Sequence, residues 1–173
     1  MLFVSMLLLA TSVFPMSVCD IMADEVSAQR NHADWADRYG VCLEVVETSL
    51  KSDLDPFIAV SVAWEESRFY RDRVSSAGAR GVMQIKRYWC PQKSFKDCEL
   101  TASGINALKL LHTCKRIDWE SLSCAKQRRH PRKWREALCH YNAGNTCYMP
   151  SRLYAGRIVN RANRMRNTFY GKD

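Results

Sequence analysis

The strongest constraint in this chain is a helix with no polar side to turn toward water. Asp55 and Pro56 supply its start. Aspartate is a favoured N-cap, and proline at the first helical position lacks only an N–H that would have no partner there. From Phe57 to Trp64 every residue except Ser61 is apolar. A helix apolar all round must be buried on most of its surface, so the rest of the chain has to wrap it. Glu65 and Glu66 follow at its far end. Val62 and Ala63 stand four and three residues before Glu66, so that carboxyl projects from an apolar stripe. Desolvation and the negative end of the helix both disfavour its anion. A carboxyl that keeps its proton near neutral pH is what a general acid needs. Glu65, about 100° round the helix, follows another stripe and is expected to be a solvated surface acid.

Ser75-Ser76-Ala77-Gly78-Ala79-Arg80-Gly81 reads as a small-residue loop, and Val82-Met83-Gln84-Ile85 begins a new apolar segment. Gly78 and Gly81 permit positive φ or close backbone approach. Helical spacing predicts four more helices. One spans His32 to Leu50, with Trp35, Tyr39, Cys42 and Val46 on a face. A second spans Thr101 to Ile117, with Ile105, Leu108, Leu111 and Cys114 aligned. A third starts at Pro131, carries Trp134, Ala137, Leu138 and Tyr141, and ends at Asn142-Ala143-Gly144. The last is opened by Pro150 or Ser151. It turns Tyr154, Ile158, Ala162 and Met165 inward and carries Arg157, Arg161 and Arg164 as a basic stripe. Lys86 to Glu99, with Pro91 and two cysteines, is expected to be an irregular, disulfide-pinned loop.

Eight cysteines in 173 residues suit an oxidising compartment. Short loops favour Cys90–Cys98, Cys114–Cys124 and Cys139–Cys147, which leaves Cys19 for Cys42. If processing removes Cys19, one thiol is left over. Zinc is the rival reading, with His112 and Cys114, or Cys139 and His140, as ligands, although no CxxC pair occurs. Met1 to Val18 is apolar and uncharged: a signal-peptide core without the usual basic start, an uncleaved anchor, or a buried helix. Small-residue cleavage points follow Cys19, Ala23 and Ala28. The expected division is therefore an apolar signal or anchor segment over 1–28 and a single domain over 29–173. The net charge of +8 favours polyanionic partners, and Lys126 to Lys133 is a basic run, either solvated or gripping an anionic polymer. It has no interleaved aromatic ladder, and no helix-turn-helix pattern stands out, so nucleic acid is not an expected partner.

Several short motifs then occur in one order: Glu66-Ser67, Ser75, Gly78-Ala79, Gly81-Val82-Met83-Gln84, Tyr141-Asn142-Ala143-Gly144, and Tyr154 with Ile158 four residues on. Together they resemble the lytic transglycosylases with a goose-lysozyme-like fold, over about Pro56 to Met165. The chain departs from that pattern at Val82, where the family usually has Leu, and at His140, where it often has Ala or a similar residue. The resemblance implies a mainly α, lysozyme-like helical domain with a substrate cleft and little or no β-sheet. It implies cleavage of the β-1,4 bond between N-acetylmuramic acid and N-acetylglucosamine in peptidoglycan, with closure of a 1,6-anhydro ring. Glu66 would serve as acid and then base.

By the same resemblance, Ser75 would bond the substrate's N-acetyl group or orient Glu66. Met83 and Gln84 would line the sugar groove, Tyr141 and Asn142 would hold its opposite side, and Tyr154 would bring its hydroxyl near Glu66. No metal or organic cofactor is implied. No secure second carboxylate stands out in the sequence: Asp72 lies in a loop and could approach, but nothing fixes it there, and the other reading is an exposed loop acid. A goose-type hydrolase that uses water is a second reading. A catalytically idle, wall-binding subunit of an envelope-spanning secretion, conjugation or phage assembly is a third. The expected location is the periplasm or the outside of a bacterial cell, or else a phage virion, with membrane contact only through the N-terminal segment.

Overall fold

The computed structural model describes residues 18–25, 35–90, 94–144 and 146–171. Helix α1 covers 18–25, α2 Trp35–Lys51 and α3 Pro56–Ser67. A 3-10 turn at Arg87–Trp89 precedes α4 (Leu100–Thr113), and two short strands follow, β1 (Cys114–Asp118) and β2 (Ser123–Gln127). The chain closes with α5 (Trp134–Ala143) and α6 (Met149–Tyr170). This is the mainly α architecture with a minimal sheet that the sequence suggested.

Helix α3 is the centre. Asp55 caps it: Oδ1 accepts from the backbone N–H of Phe57 at 3.0 Å and of Ile58 at 3.4 Å. Arg166 of α6 ion-pairs with the same carboxylate. Every residue from Phe57 to Trp64 is buried, and α2 and α6 both pack on the helix. Each fully buried Val, Ile or Phe contributes about 1.5–3 kcal/mol, so this run alone fixes where the other helices must lie. Helix α4 packs on α2 and α5, and α5 packs on α6.

Helix α1 belongs to the same core. Val18, Cys19 and Met22 are fully buried, Cys19 is bonded to Cys42 of α2, and the Tyr39 hydroxyl donates to Asp20 at 2.7 Å. Residues 1–17 and 26–28 of the expected leader or anchor lie outside the described residues. The packed unit thus includes residues that the sequence assigned to the segment before the domain. Among the described residues no helix is long and apolar enough to cross a membrane.

All eight cysteines pair, as Cys19–Cys42, Cys90–Cys98, Cys114–Cys124 and Cys139–Cys147. Cys114 and Cys139, on which a zinc site would depend, are therefore bonded to sulfur. The helix expected to reach Ile117 stops at Thr113 instead. Its apolar stripe runs on through Cys114, but the Cys114–Cys124 bond draws that residue into an antiparallel hairpin, with Ile117 opposite Cys124 and Asp118 opposite Ser123. Asp118 Oδ1 sets the turn by accepting from the N–H of Glu120 at 3.0 Å. Helix α5 starts at Trp134 rather than Pro131, because the backbone N–H of Arg132 is still engaged with the His112 carbonyl at 2.8 Å.

Candidate active site

Helix α3 ends where Arg68 turns into the left-handed region at φ 58°, its N–H bonded to the Trp64 carbonyl. The Arg68 guanidinium lies 4.7 Å from the centre of the Trp64 ring and also donates to that carbonyl. These contacts lock the last turn, from which Glu66 projects half-buried. The Tyr154 hydroxyl, on α6, donates to Glu66 Oε1 at 2.5 Å. Burial is the largest influence on this carboxyl and pushes its pKa up to about 7. The Tyr154 hydrogen bond and the charge of Arg73 pull it down, and the charge of Glu65 pushes it up. Burial, followed by the charge of Glu66, raises Tyr141 and Tyr154 well above the usual phenol range, so both keep their protons.

Glu65 is not the solvated acid its position suggested. Its side chain is only 10% exposed, 2.7 Å from Arg157 and 3.3 Å from Arg161. Burial pushes its pKa up, but the two arginines outweigh that and hold it below the usual carboxylate value. Arg161 and Arg164 also pair with Glu25, at 3.6 and 3.1 Å. The three arginines of the α6 basic stripe are thus paired with Glu65 of α3 and Glu25 of α1, while Arg157 and Arg164 stay more than half exposed.

The loop after α3 is built on Ser75. Its Oγ accepts from the N–H of Ala79 at 3.0 Å, and its carbonyl accepts from the N–H of Gly78 at 2.9 Å. Gly81, at φ 78°, needs both properties of glycine, because a Cβ there would meet Leu100 Cδ1 at 2.8 Å. Arg80 then bridges to Val74 and Ile85, which folds 74–85 into a compact frame. The Gln84 side-chain amide donates to the carbonyls of Arg73 at 2.8 Å and Gly81 at 2.9 Å. From α5, Tyr141 donates to the Met83 carbonyl at 2.7 Å, and Asn142 Oδ1 accepts from Ser151 at 3.0 Å.

These pieces enclose a cleft of about 480 Å³ lined by Glu66, Ser75, Gln84, Tyr141 and Asn142. Five of the seven expected site residues therefore share one wall-to-wall space. Tyr154 is 6% exposed and supports Glu66 from within the protein. Met83 does not line the groove: its side chain is fully buried, and it serves through its backbone carbonyl instead. An apolar side chain gains more from the core than from a wet cleft. Asp72 is exposed and borders a separate depression with Glu44 and Arg71. Among the described lining residues Glu66 is the one acid.

Lys86, Tyr88 and Tyr148 also line the cleft. The first two sit in a stretch read only as a pinned loop, and Tyr148 follows Cys147 directly. Nothing in helical spacing could have marked them. What this cleft can do chemically is offer one proton, held near neutral pH, to an oxygen of a molecule bound in it.

A family model described as the transglycosylase SLT domain matches residues 45–157. No curated protein and no solved structure gives a match. The family match spans most of the chain and runs past both Glu66 and Tyr154. On that ground the protein belongs to the transglycosylase SLT domain family, lysozyme-like lytic transglycosylases that act on peptidoglycan.

Proposed function

We propose that this protein cuts the β-1,4 bond between N-acetylmuramic acid and N-acetylglucosamine, with Glu66 as acid and then base and a 1,6-anhydro sugar as product. The observation that carries the reading is one cleft carboxyl, alone among the described lining residues, pushed by burial up to about 7 and hydrogen-bonded to Tyr154. At neutral pH such a group is divided between its two forms, as a residue with both roles requires.

Glu66 donates its proton to the glycosidic oxygen as the bond from that oxygen to the anomeric carbon breaks. The N-acetylglucosamine side leaves as an alcohol, and positive charge develops at the anomeric carbon. With no other acid among the described residues that line the cleft, the carbonyl oxygen of the substrate's own N-acetyl group supports that carbon. The Glu66 carboxylate then takes the proton of the C6 hydroxyl, whose oxygen bonds to the anomeric carbon and closes the ring. Glu66 ends protonated as it began, and no water is consumed. Tyr154 steadies the carboxylate between the two steps. Ser75 and Gln84 on one wall, and Tyr141 and Asn142 on the other, orient the strand. The four disulfides support a site of action outside the reducing cytoplasm, in the bacterial envelope.

Mass analysis of the products from purified peptidoglycan tests the reading. Anhydro products, lighter by one water than hydrolysis products, are expected. Reducing ends would make the protein a hydrolase instead. Glu66→Gln is expected to lower cleavage by about 10²–10⁴-fold, the usual worth of a general acid. Cleavage that survives the change unaltered would remove Glu66 from the chemistry.

A further inference from the structure

We propose that the cleft continues past Tyr88 into a second glycan-binding groove. Here Tyr88 and Trp119 stack on sugar faces of the same strand, and Lys115 and Arg116 meet carboxylates of its peptide stems. The inference rests on the reading that the Glu66 cleft takes a peptidoglycan strand.

A groove of about 280 Å³ lies between the 3-10 turn and the hairpin, bordered by Tyr88, Trp89, Trp119, Lys115, Arg116 and Gly144. Tyr88 and Gly144 also line the Glu66 cleft, so the two spaces share a wall. A strand leaving the cleft on that side runs directly onto the aromatic rings. Tyr88 and Trp119 are 55% and 53% exposed, which is costly for such large side chains unless something covers them.

The rings form one cluster of tilted and edge-to-face contacts, so Tyr88 and Trp119 present differently oriented faces. Trp119 sits 6.2 Å from Tyr88 and 5.1 Å from Trp89, centroid to centroid. Trp89 is itself buried and anchors the pair to the core. The Cys90–Cys98 bond pins the turn that carries Tyr88, and the Cys114–Cys124 bond pins the hairpin that carries Trp119. Rings held on braced supports lose little freedom when a ligand arrives, so more of the contact energy remains as affinity. Pyranose rings offer a face of C–H groups that suits an aromatic surface.

The charge of the groove agrees. Among its described lining residues there is no acid, while Lys115 and Arg116 are cations; Arg132 also lines it but is paired with Glu136 at 3.2 Å. Stem peptides end in carboxylates, and a groove of one sign concentrates the opposite charge.

The test is binding by the Glu66→Gln protein, with cleavage by the wild type measured alongside. The probes are long glycan strands freed of their stems, the same strands with stems, and short fragments that fill only the Glu66 cleft. Trp119→Ala is expected to weaken binding of long strands about tenfold, the scale of one good aromatic contact, and to leave short fragments unaffected. Trp119→Tyr should restore most of the loss, and Trp119→Gln, of comparable reach, should reproduce it if alanine loosens the hairpin. Changing Lys115 and Arg116 together to Ala should weaken stem-bearing strands and spare stem-free ones. Equal binding of long strands by all Trp119 variants, with the wild type cutting normally, overturns the groove and leaves the chemistry standing. Loss through Trp119 in a protein whose wild type makes no cut supports the groove and overturns the chemistry.

Discussion

The Tyr154 hydroxyl donates to Glu66 Oε1 across 2.5 Å, joining the middle of the chain to its last helix. Burial favours the protonated carboxyl, while a phenol donating to the anion favours the charged form. In Tyr154→Phe the pull of the phenol is gone, while burial and the charges of Glu65 and Arg73 remain. The pKa of Glu66 should then rise above about 7, and the acid should stay loaded to higher pH. The alkaline fall of kcat/KM is expected to move up by about one pH unit, as loss of one hydrogen bond to a charged group implies. A fall that stays in place would show that this contact does not govern the acid.

Glu65→Gln should act in the opposite direction. The charge of Glu65 helps to hold the pKa of Glu66 up, so removing it moves the alkaline fall of kcat/KM to lower pH. The same change takes a partner from Arg161, whose side chain is 11% exposed and which keeps only Glu25. A stability loss of about 1–2 kcal/mol is expected, less than for a fully buried pair because Arg157 is half in solvent. Denaturant unfolding reads the second effect and the pH profile the first. A variant with altered stability and an unmoved profile would reduce Glu65 to a brace.

Much of this was written locally in the chain, and each exception has its own cause. The Asp55-Pro56 start and the run from Phe57 to Trp64 fix α3 without reference to anything distant. The short cysteine loops likewise needed only nearby partners. The burial of Glu65 is not legible locally, because its arginines lie 92 and 96 residues further on, beyond any helical period. The stripe through Cys114 is locally sound, but the bond to Cys124 takes that residue out of the helix. Met83 is a different case. Spacing marks it as apolar, but only packing decides which side of the wall it occupies. The meeting of Glu66, Tyr141 and Tyr154 came from ordered motifs and not from periodicity, since a cleft has no period.

Glu66 should also leave a trace in stability. Its folded pKa, about 7, lies above the ordinary glutamate value of 4.5. Below pH 4.5 both folded and unfolded forms are protonated, and the group costs nothing. Between 4.5 and about 7 the unfolded chain releases a proton that the folded one retains, so stability falls as pH rises. The loss amounts to roughly 3 kcal/mol once both forms are ionised. Glu66→Gln carries no such loss. The variant should match the wild type near pH 4 and exceed it near pH 8 in urea midpoint. Equal curves at both ends would mean that the carboxyl is not held in a desolvated site.

Gly104→Ala sets two opposed magnitudes against each other. In the interior of α4, alanine gains about 1 kcal/mol over glycine in helix propensity. Its Cβ, however, would stand 2.3 Å from Met83 Cβ, 2.7 Å from Met83 Cγ and 3.1 Å from Ile85 Cγ2. Cβ cannot rotate away, so relief requires movement of the backbone at Met83, and overpacking of that kind costs about 1–3 kcal/mol. The carbonyl of the same residue holds the Tyr141 hydroxyl at 2.7 Å, so the displacement passes into the cleft wall. A lower urea midpoint is expected, together with a drop in kcat/KM at temperatures where the variant is fully folded. A raised midpoint with undiminished cleavage would mean that the ridge at Met83 yields freely and that its carbonyl does not position Tyr141.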